Sequence, residues 1–140
     1  MSPQVFKIAI VEDDTYYRKL LERGIHRLCD GVYKSSMDFE IVTYGNPREL
    51  IAEMDETFSV IIMDYYLEAG YDQSMYTARE LARAAALRAP ETSILVVSND
   101  APANIQQKLN GIRVQDVIYK DKWMLSRVWG SILVTLNRVA

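Results

Sequence analysis

The chain has 140 residues, which is about the size of one average domain. Sixteen basic and nineteen acidic residues give a formal net charge of −3, and 49% of the residues are hydrophobic. This composition is typical of a globular domain, and the mild acidic excess offers no basic surface to a nucleic-acid backbone. We therefore expect a single domain over residues 1–140 that does not bind nucleic acid directly.

Residues that form disulfides or bind zinc are scarce. Cys29 is the single cysteine and His26 the single histidine, so an internal disulfide and a zinc site of nitrogen and sulfur ligands are both excluded. The first residues lack the apolar segment of a secretory signal, and no apolar run approaches the roughly 20 residues that span a bilayer. These features predict a cytoplasmic protein that does not contact the membrane.

Short apolar segments alternate along the chain with segments of helical spacing. The predicted strands are Val5–Val11, Phe39–Tyr44, Phe58–Met63, Ile94–Val97 and Val114–Tyr119. The second alternates apolar with polar residues and is predicted as a less buried or edge strand, whereas three of the others are nearly continuously apolar. Asn46 and Pro47 are typical of a helix start, and Pro90 ends the helix that runs through Arg88.

Alternating strands and helices predict a doubly wound α/β fold, with a parallel sheet and helices on both of its faces. Ligands of such sheets bind beyond the carboxyl ends of the strands. The polar residues that follow the predicted central strands are Glu12, Asp13, Asp14, Asp64, Ser98, Asn99 and Lys120. The sequence therefore predicts that carboxylates, a hydroxyl group and an ammonium group converge at one edge of the sheet.

Three converging carboxylates need a cation. At 4 Å, two of them repel each other by about 4 kcal/mol at an effective dielectric constant near 20. Oxygen ligands without histidine or cysteine favour Mg²⁺, which is typically shared with a phosphate. An aspartate at a strand end can accept a phosphoryl group as nucleophile, while a lysine neutralises the developing charge. Ser98 could then donate a hydrogen bond to a phosphoryl oxygen.

The same strand ends resemble those of the receiver domains of two-component response regulators. The resemblance is carried by Ile8–Asp14, Ile61–Leu67, Leu95–Ser98 and Val117–Lys120, and it spans nearly the whole chain. It implies a flavodoxin-like (βα)5 fold with a five-stranded sheet in the order 2-1-3-4-5. It also implies a signalling domain that catalyses only its own phosphorylation and dephosphorylation.

The resemblance assigns a role to each of these positions. It implies Asp64 as phosphoacceptor, Lys120 and Ser98 as its catalytic partners, and Glu12, Asp13, Asp64 and the Tyr66 backbone carbonyl as ligands of Mg²⁺, with Asp14 outside the metal site. The implied phosphodonor is a phosphohistidine on a sensor histidine kinase or a histidine phosphotransfer protein. The implied output is a downstream protein target or output domain, with a possible homodimer through the last two helices.

Three features depart from the family pattern. Asp121 replaces the proline that usually follows the lysine, and Val117 replaces the usual aromatic switch residue. The loop Glu68–Ser74 is longer than is common in the family. Tyr66 and Asn99 are bulky residues at two positions that flank the phosphoryl site, and we hypothesise that Tyr66 shields the acyl phosphate from water.

These departures leave alternatives open. One is a pseudo-receiver that binds partners independently of phosphate. Another is an enzyme of the same architecture, although a phosphatase would need an aspartate where Tyr66 stands, and a flavodoxin-like carrier would need a phosphate-binding loop after the first strand. The last predicted helix, Asp121–Arg138, has more apolar residues than one buried stripe needs, so it either packs under neighbouring segments or forms a partner surface.

Overall fold

A computed structural model describes residues 4–32, 37–55, 57–66 and 78–139. Strands and helices alternate regularly within these residues. They are β1 Gln4–Val11, α1 Thr15–Asp30, β2 Met37–Tyr44, α2 Pro47–Glu53, β3 Phe58–Asp64, α3 Ala78–Arg88, β4 Ser93–Ser98, α4 Pro102–Lys108, β5 Asp116–Tyr119 and α5 Met124–Val139.

The five strands form one parallel sheet in the order β2-β1-β3-β4-β5. This order confirms the predicted doubly wound α/β fold. It also confirms β2 as an edge strand, in agreement with its alternating sequence. The central strands β1, β3 and β4 are the ones whose carboxyl ends are flanked on both sides, so the edge beyond them is the place for a ligand site.

The continuously apolar strands are explained by two helical layers. Ile8 and Ile10 of β1 pack into the core beneath α1 and α5, whereas Ala9 and Val11 pack into the core beneath α2, α3 and α4. Successive side chains of a strand point to opposite faces, so a strand covered on both faces needs apolar residues at every position.

Three predicted boundaries are wrong by two or three residues. β2 begins at Met37 rather than at Phe39. β5 begins at Asp116 rather than at Val114, and α5 begins at Met124 rather than at Asp121. The Asp121 side chain accepts a hydrogen bond from the backbone amide of Trp123 at 2.8 Å, and this turn delays the helix. An aspartate that bonds its own following backbone favours a turn over a continuing helix.

Asp30 is the last residue of α1, and Met37 is the first residue of β2. The predicted loop Glu68–Ser74 lies outside the described residues.

Most of the apolar residues of α5 pack in the core. Val128, Ile132 and Leu136 lie on its buried face, whereas Val134 and Val139 are 47% and 41% exposed. The partner surface on this helix therefore stays a prediction, and it would rest on few residues. No helix in the described part of the chain combines the length and the apolar character needed to cross a bilayer.

The predicted helix start at Asn46 can be tested by substitution. The Asn46 side chain accepts a hydrogen bond from the Glu49 amide at 3.0 Å and so caps the helix. We expect Asn46→Ala to lower the free energy of unfolding by about 1 kcal/mol, measured by urea denaturation. Asn46→Ser should recover most of the loss, because serine caps equally well. An unchanged midpoint for the alanine variant would contradict the capping role.

Candidate functional site

Three carboxylates meet at the carboxyl edge of the sheet. β1 and β3 are parallel neighbours in which Val11 pairs with Met63, so the residues that follow these two positions lie side by side. Glu12 and Asp13 come directly after β1, and Asp64 is the last residue of β3. Each offers one carboxylate oxygen, and these three oxygens lie within 4.8 Å of one another.

Lys120 joins this group from the far side of β4. Its Nζ lies 3.0 Å from Asp64 Oδ2 and 3.1 Å from Glu12 Oε2. Its backbone amide donates to the carbonyl of Ser98 at 2.8 Å, which holds the end of β5 against the end of β4. Glu12, Asp64 and Lys120 are 0%, 6% and 9% exposed, so the ion pairs are screened little by solvent.

Burial and charge act together on these groups. Burial first, and then the charge of Asp64, raise the pKa of Glu12 above its ordinary value, although Lys120 works in the opposite direction. Burial alone would lower the pKa of Lys120, but the hydrogen bond and charge of Asp64, with the charge of Glu12, raise it. The lysine is therefore held in its charged form between the two acids.

The site has the negative charge and the carboxylate oxygens that a divalent cation needs. Three carboxylates against one ammonium group leave a net charge of about −2 when all are ionised. Glu12 Oε2 is buried and, among the described residues, forms the ion pair with Lys120 but no hydrogen bond of good geometry. Oxygen ligands of this kind fit Mg²⁺.

A cavity of about 270 Å³ opens over the carboxylates. The described residues that line it are Glu12, Asp13, Asp14, Tyr17, Asp64, Tyr66, Asn99 and Lys120. All of the predicted site residues except Ser98 thus line the same cavity.

Two predicted residues have other contacts. Asp14 caps α1, because its side chain accepts hydrogen bonds from the amides of Tyr16 and Tyr17. Ser98 is fully buried at the end of β4, where its Oγ accepts a hydrogen bond from the Asp100 amide at 2.9 Å. That bond uses the serine oxygen and leaves its hydroxyl proton free to donate.

Tyr17 is a site residue that the sequence did not single out. The centre of its ring lies 4.3 Å from Lys120 Nζ and the residue lines the cavity, whereas the neighbouring Tyr16 is 69% exposed. A spacing of four residues places Tyr17 on the stripe of α1 that continues through the buried Leu21 and Ile25. That spacing separates the two tyrosines only once the buried face of α1 is known, because Tyr16 also lies four residues before an apolar residue, Leu20.

The two replacements near Lys120, Val117 and Asp121, leave the position of the lysine unchanged. Val117 is buried against the sheet face covered by α4, and Tyr119, the nearest aromatic residue, is 40% exposed. The Lys120–Asp121 peptide bond is trans, since the described residues contain no cis peptide bond. Neither replacement displaces Lys120 from the carboxylates.

Comparison with known proteins agrees with this fold. No protein-family model matches the chain. Over 58 residues, which are 41% of this chain and 13% of the other protein, it is 41% identical to the transcriptional regulatory protein FlgR of Helicobacter pylori. The BeF3-activated receiver domain of DrrB, a Thermotoga maritima response regulator, superposes with a TM-score of 0.70 and 19% identity. That match covers 92% of this chain and 98% of the DrrB domain. The chain has the fold of a receiver domain.

A second solved structure has the same receiver fold. It is a response regulator from Burkholderia pseudomallei with a phosphorylated aspartic acid, a calcium ion and citrate, at a TM-score of 0.67 and 17% identity, over 96% of this chain and 70% of that one. The chain spans only part of its longer relatives, with 54% of the longer DrrB chain and 13% of FlgR covered.

Proposed function

We propose that this chain is a phosphorylation-controlled receiver domain of a two-component system, with Asp64 as the phosphoacceptor. The observation that carries the proposal is the buried contact of Asp64 with Lys120 beside two further carboxylates, Glu12 and Asp13, at the mouth of one cavity. Histidine kinases and histidine phosphotransfer proteins are the proposed donors.

The proposed reaction moves one phosphoryl group between two side chains. A carboxylate oxygen of Asp64 attacks the phosphorus of a phosphohistidine, the P–N bond breaks, and its electron pair stays on the imidazole nitrogen. Lys120 neutralises charge on the phosphoryl oxygens, and the Ser98 hydroxyl donates a hydrogen bond to one of them. Mg²⁺, held by Glu12, Asp13, Asp64 and the Tyr66 carbonyl, would supply further neutralisation of that charge.

The same site also accounts for removal of the phosphoryl group by hydrolysis. Water attacks the phosphorus of the acyl phosphate, the bond from phosphorus to the Asp64 oxygen breaks, and its electron pair returns to the carboxylate. Inorganic phosphate and a proton leave. We propose no other catalytic activity for the domain.

The readout of the phosphoryl group is proposed to start at Ser98 and Lys120. Phosphorylation adds about −1.5 to −2 charges and new acceptor oxygens at Asp64. Movement of Ser98 toward these oxygens would shift the start of α4, because the Ser98 hydroxyl holds the Asp100 amide just before that helix. A protein target or output domain would sense the change, with a homodimer through α4 and α5 as one form of it.

We also propose that the domain extends over residues 1–140, that it is located in the cytoplasm and that it does not itself bind nucleic acid. Support for phosphate dependence comes from the intact set of acids and lysine, which a phosphate-independent pseudo-receiver would not need; that alternative is not favoured.

The test is phosphorylation by a small donor. We expect wild type incubated with acetyl phosphate and Mg²⁺ to give a shifted band on a phosphate-affinity gel, and Asp64→Asn to give none, because the amide is not a nucleophile of this kind. The shift should disappear when a chelator removes Mg²⁺.

Asp38→Asn is the matched control, since Asp38 is exposed at the amino end of β2, away from the site. It should be phosphorylated as wild type is. An unmodified wild type, or equal modification of Asp64→Asn, would reject the proposal.

A further inference from the structure

Tyr66 is joined to α4 by a cluster of three side chains. Its hydroxyl donates a hydrogen bond to Asp100 Oδ2 at 2.9 Å and accepts one from Lys108 Nζ. Lys108 Nζ also lies 3.6 Å from Asp100 Oδ2. The Tyr66–Asp100–Lys108 cluster therefore connects the loop after β3 with the loop after β4 and with the last residue of α4.

The Asp100 end of this cluster is itself held in place. Asp100 Oδ1 accepts hydrogen bonds from the Ala101 amide at 2.8 Å and from Asn104 Nδ2 at 3.0 Å. The bonds from Asn104 first, and then from Tyr66, lower the pKa of Asp100, and the bond to Tyr66 raises the pKa of Lys108. Both groups thus keep their charges near neutral pH, so the hydroxyl of Tyr66 lies between an anion and a cation.

The Tyr66 side chain needs such a tether to stay near the site. It lines the cavity together with Asp64, and its backbone amide donates to Asp64 Oδ1 at 3.1 Å. Tyr66 is nevertheless 47% exposed, and the ring that it packs against is that of Tyr65, at a centroid distance of 4.9 Å. With so little burial, packing alone does not select one rotamer, and the hydroxyl contacts to Asp100 and Lys108 do.

We propose that Asp100 and Lys108 are positioning residues that hold the Tyr66 ring beside Asp64 and thereby limit the access of water to a phosphoryl group there. This inference rests on the proposed function. It gives the lifetime of the phosphorylated state a structural cause in the loop after β4 and at the end of α4. A partner that binds Lys108 would then also change the lifetime of the acyl phosphate at Asp64, since coupling between two sites is reciprocal.

The test compares Tyr66→Phe, Lys108→Met and the double variant. Each is phosphorylated with acetyl phosphate and Mg²⁺, the donor is removed, and loss of the phosphorylated band is followed with time. We expect each single variant to lose phosphate about two- to fivefold faster than wild type, a factor in line with one exposed charged contact. The double variant should decay little faster than Tyr66→Phe, because Lys108 acts mainly through the hydroxyl that phenylalanine lacks and only secondarily on the ring, whose centroid lies 5.0 Å from Lys108 Nζ.

Two further variants sharpen the result. Lys108→Arg retains a cationic donor and should restore slow decay, and Lys19→Met removes an equal charge from an exposed position on α1 and should decay as wild type does. Decay of Lys108→Met at the wild-type rate, or effects of the two single changes that multiply in the double variant, would overturn the inference while leaving the proposed function intact. A wild type that accepts no phosphate would overturn both.

Discussion

Lys120→Met is expected to lower the free energy of unfolding in metal-free buffer by about 3 kcal/mol, the lower end of the range for breaking a buried ion pair. Lys120 Nζ is the partner of two buried carboxylates, those of Asp64 at 3.0 Å and Glu12 at 3.1 Å. Without it, the two acids face each other in a buried space and lose the cation that both of them contact. The lower end is appropriate because the adjoining cavity admits water.

Urea denaturation in the presence of a chelator measures this effect. Lys122→Met is the matched control, because Lys122 is exposed two residues away and its loss removes the same charge. The double variant Glu12→Gln/Lys120→Met should regain part of the lost stability, since the repulsion between the carboxylates is removed with the lysine. Equal stability of Lys120→Met and wild type would contradict the ion-pair role.

Addition of Mg²⁺ is expected to stabilise wild type and to stabilise Asp13→Asn much less. A ligand that binds the folded chain alone stabilises it by about 2.7 kcal/mol at one hundred times its dissociation constant. Glu12, Asp13 and Asp64 supply the oxygen ligands within 4.8 Å of one another, and removal of one charge from this set should weaken affinity at least about tenfold.

The measurement is thermal unfolding over a series of Mg²⁺ concentrations. Asp38→Asn carries the same change in charge at an exposed position on β2 and should respond to Mg²⁺ as wild type does. An identical response of Asp13→Asn and wild type would argue against a metal site at these carboxylates. Loss of the response in both aspartate variants would point to a diffuse effect of charge instead.

Most of what could be predicted about the fold and the site of this chain came from the pattern of its strands. β1, β3 and β5 were predicted as strands, and a parallel sheet places the residues at their carboxyl ends on one edge. Glu12, Asp64 and Lys120 could therefore be named as neighbours from their positions after strands, and the structure brings them within ion-pair distance. Such predictions depend on local periodicity and on one rule of topology, both of which the sequence expresses directly.

The limits of the sequence are seen at helix ends and in the tyrosines. α5 begins at Met124 because the Asp121 side chain bonds the backbone after it, a local competition that apolar periodicity does not report. Tyr16 and Tyr17 are adjacent in sequence, yet one is exposed and the other lies against Lys120. A rotation of about 100° per residue separates their directions, so the exact orientation of α1 decides between them.

By itself, the sequence determined the class of fold, the edge of the sheet that holds the polar residues and the identities of the acids and the lysine there. It could do so because strand alternation and helix capping are encoded within a few residues. Only the tertiary structure decided that Tyr66 meets Asp100 and Lys108, which lie 34 and 42 residues further along the chain. Side chains so distant in sequence meet only once the sheet and α4 have been packed, and nothing in their local pattern specifies that meeting.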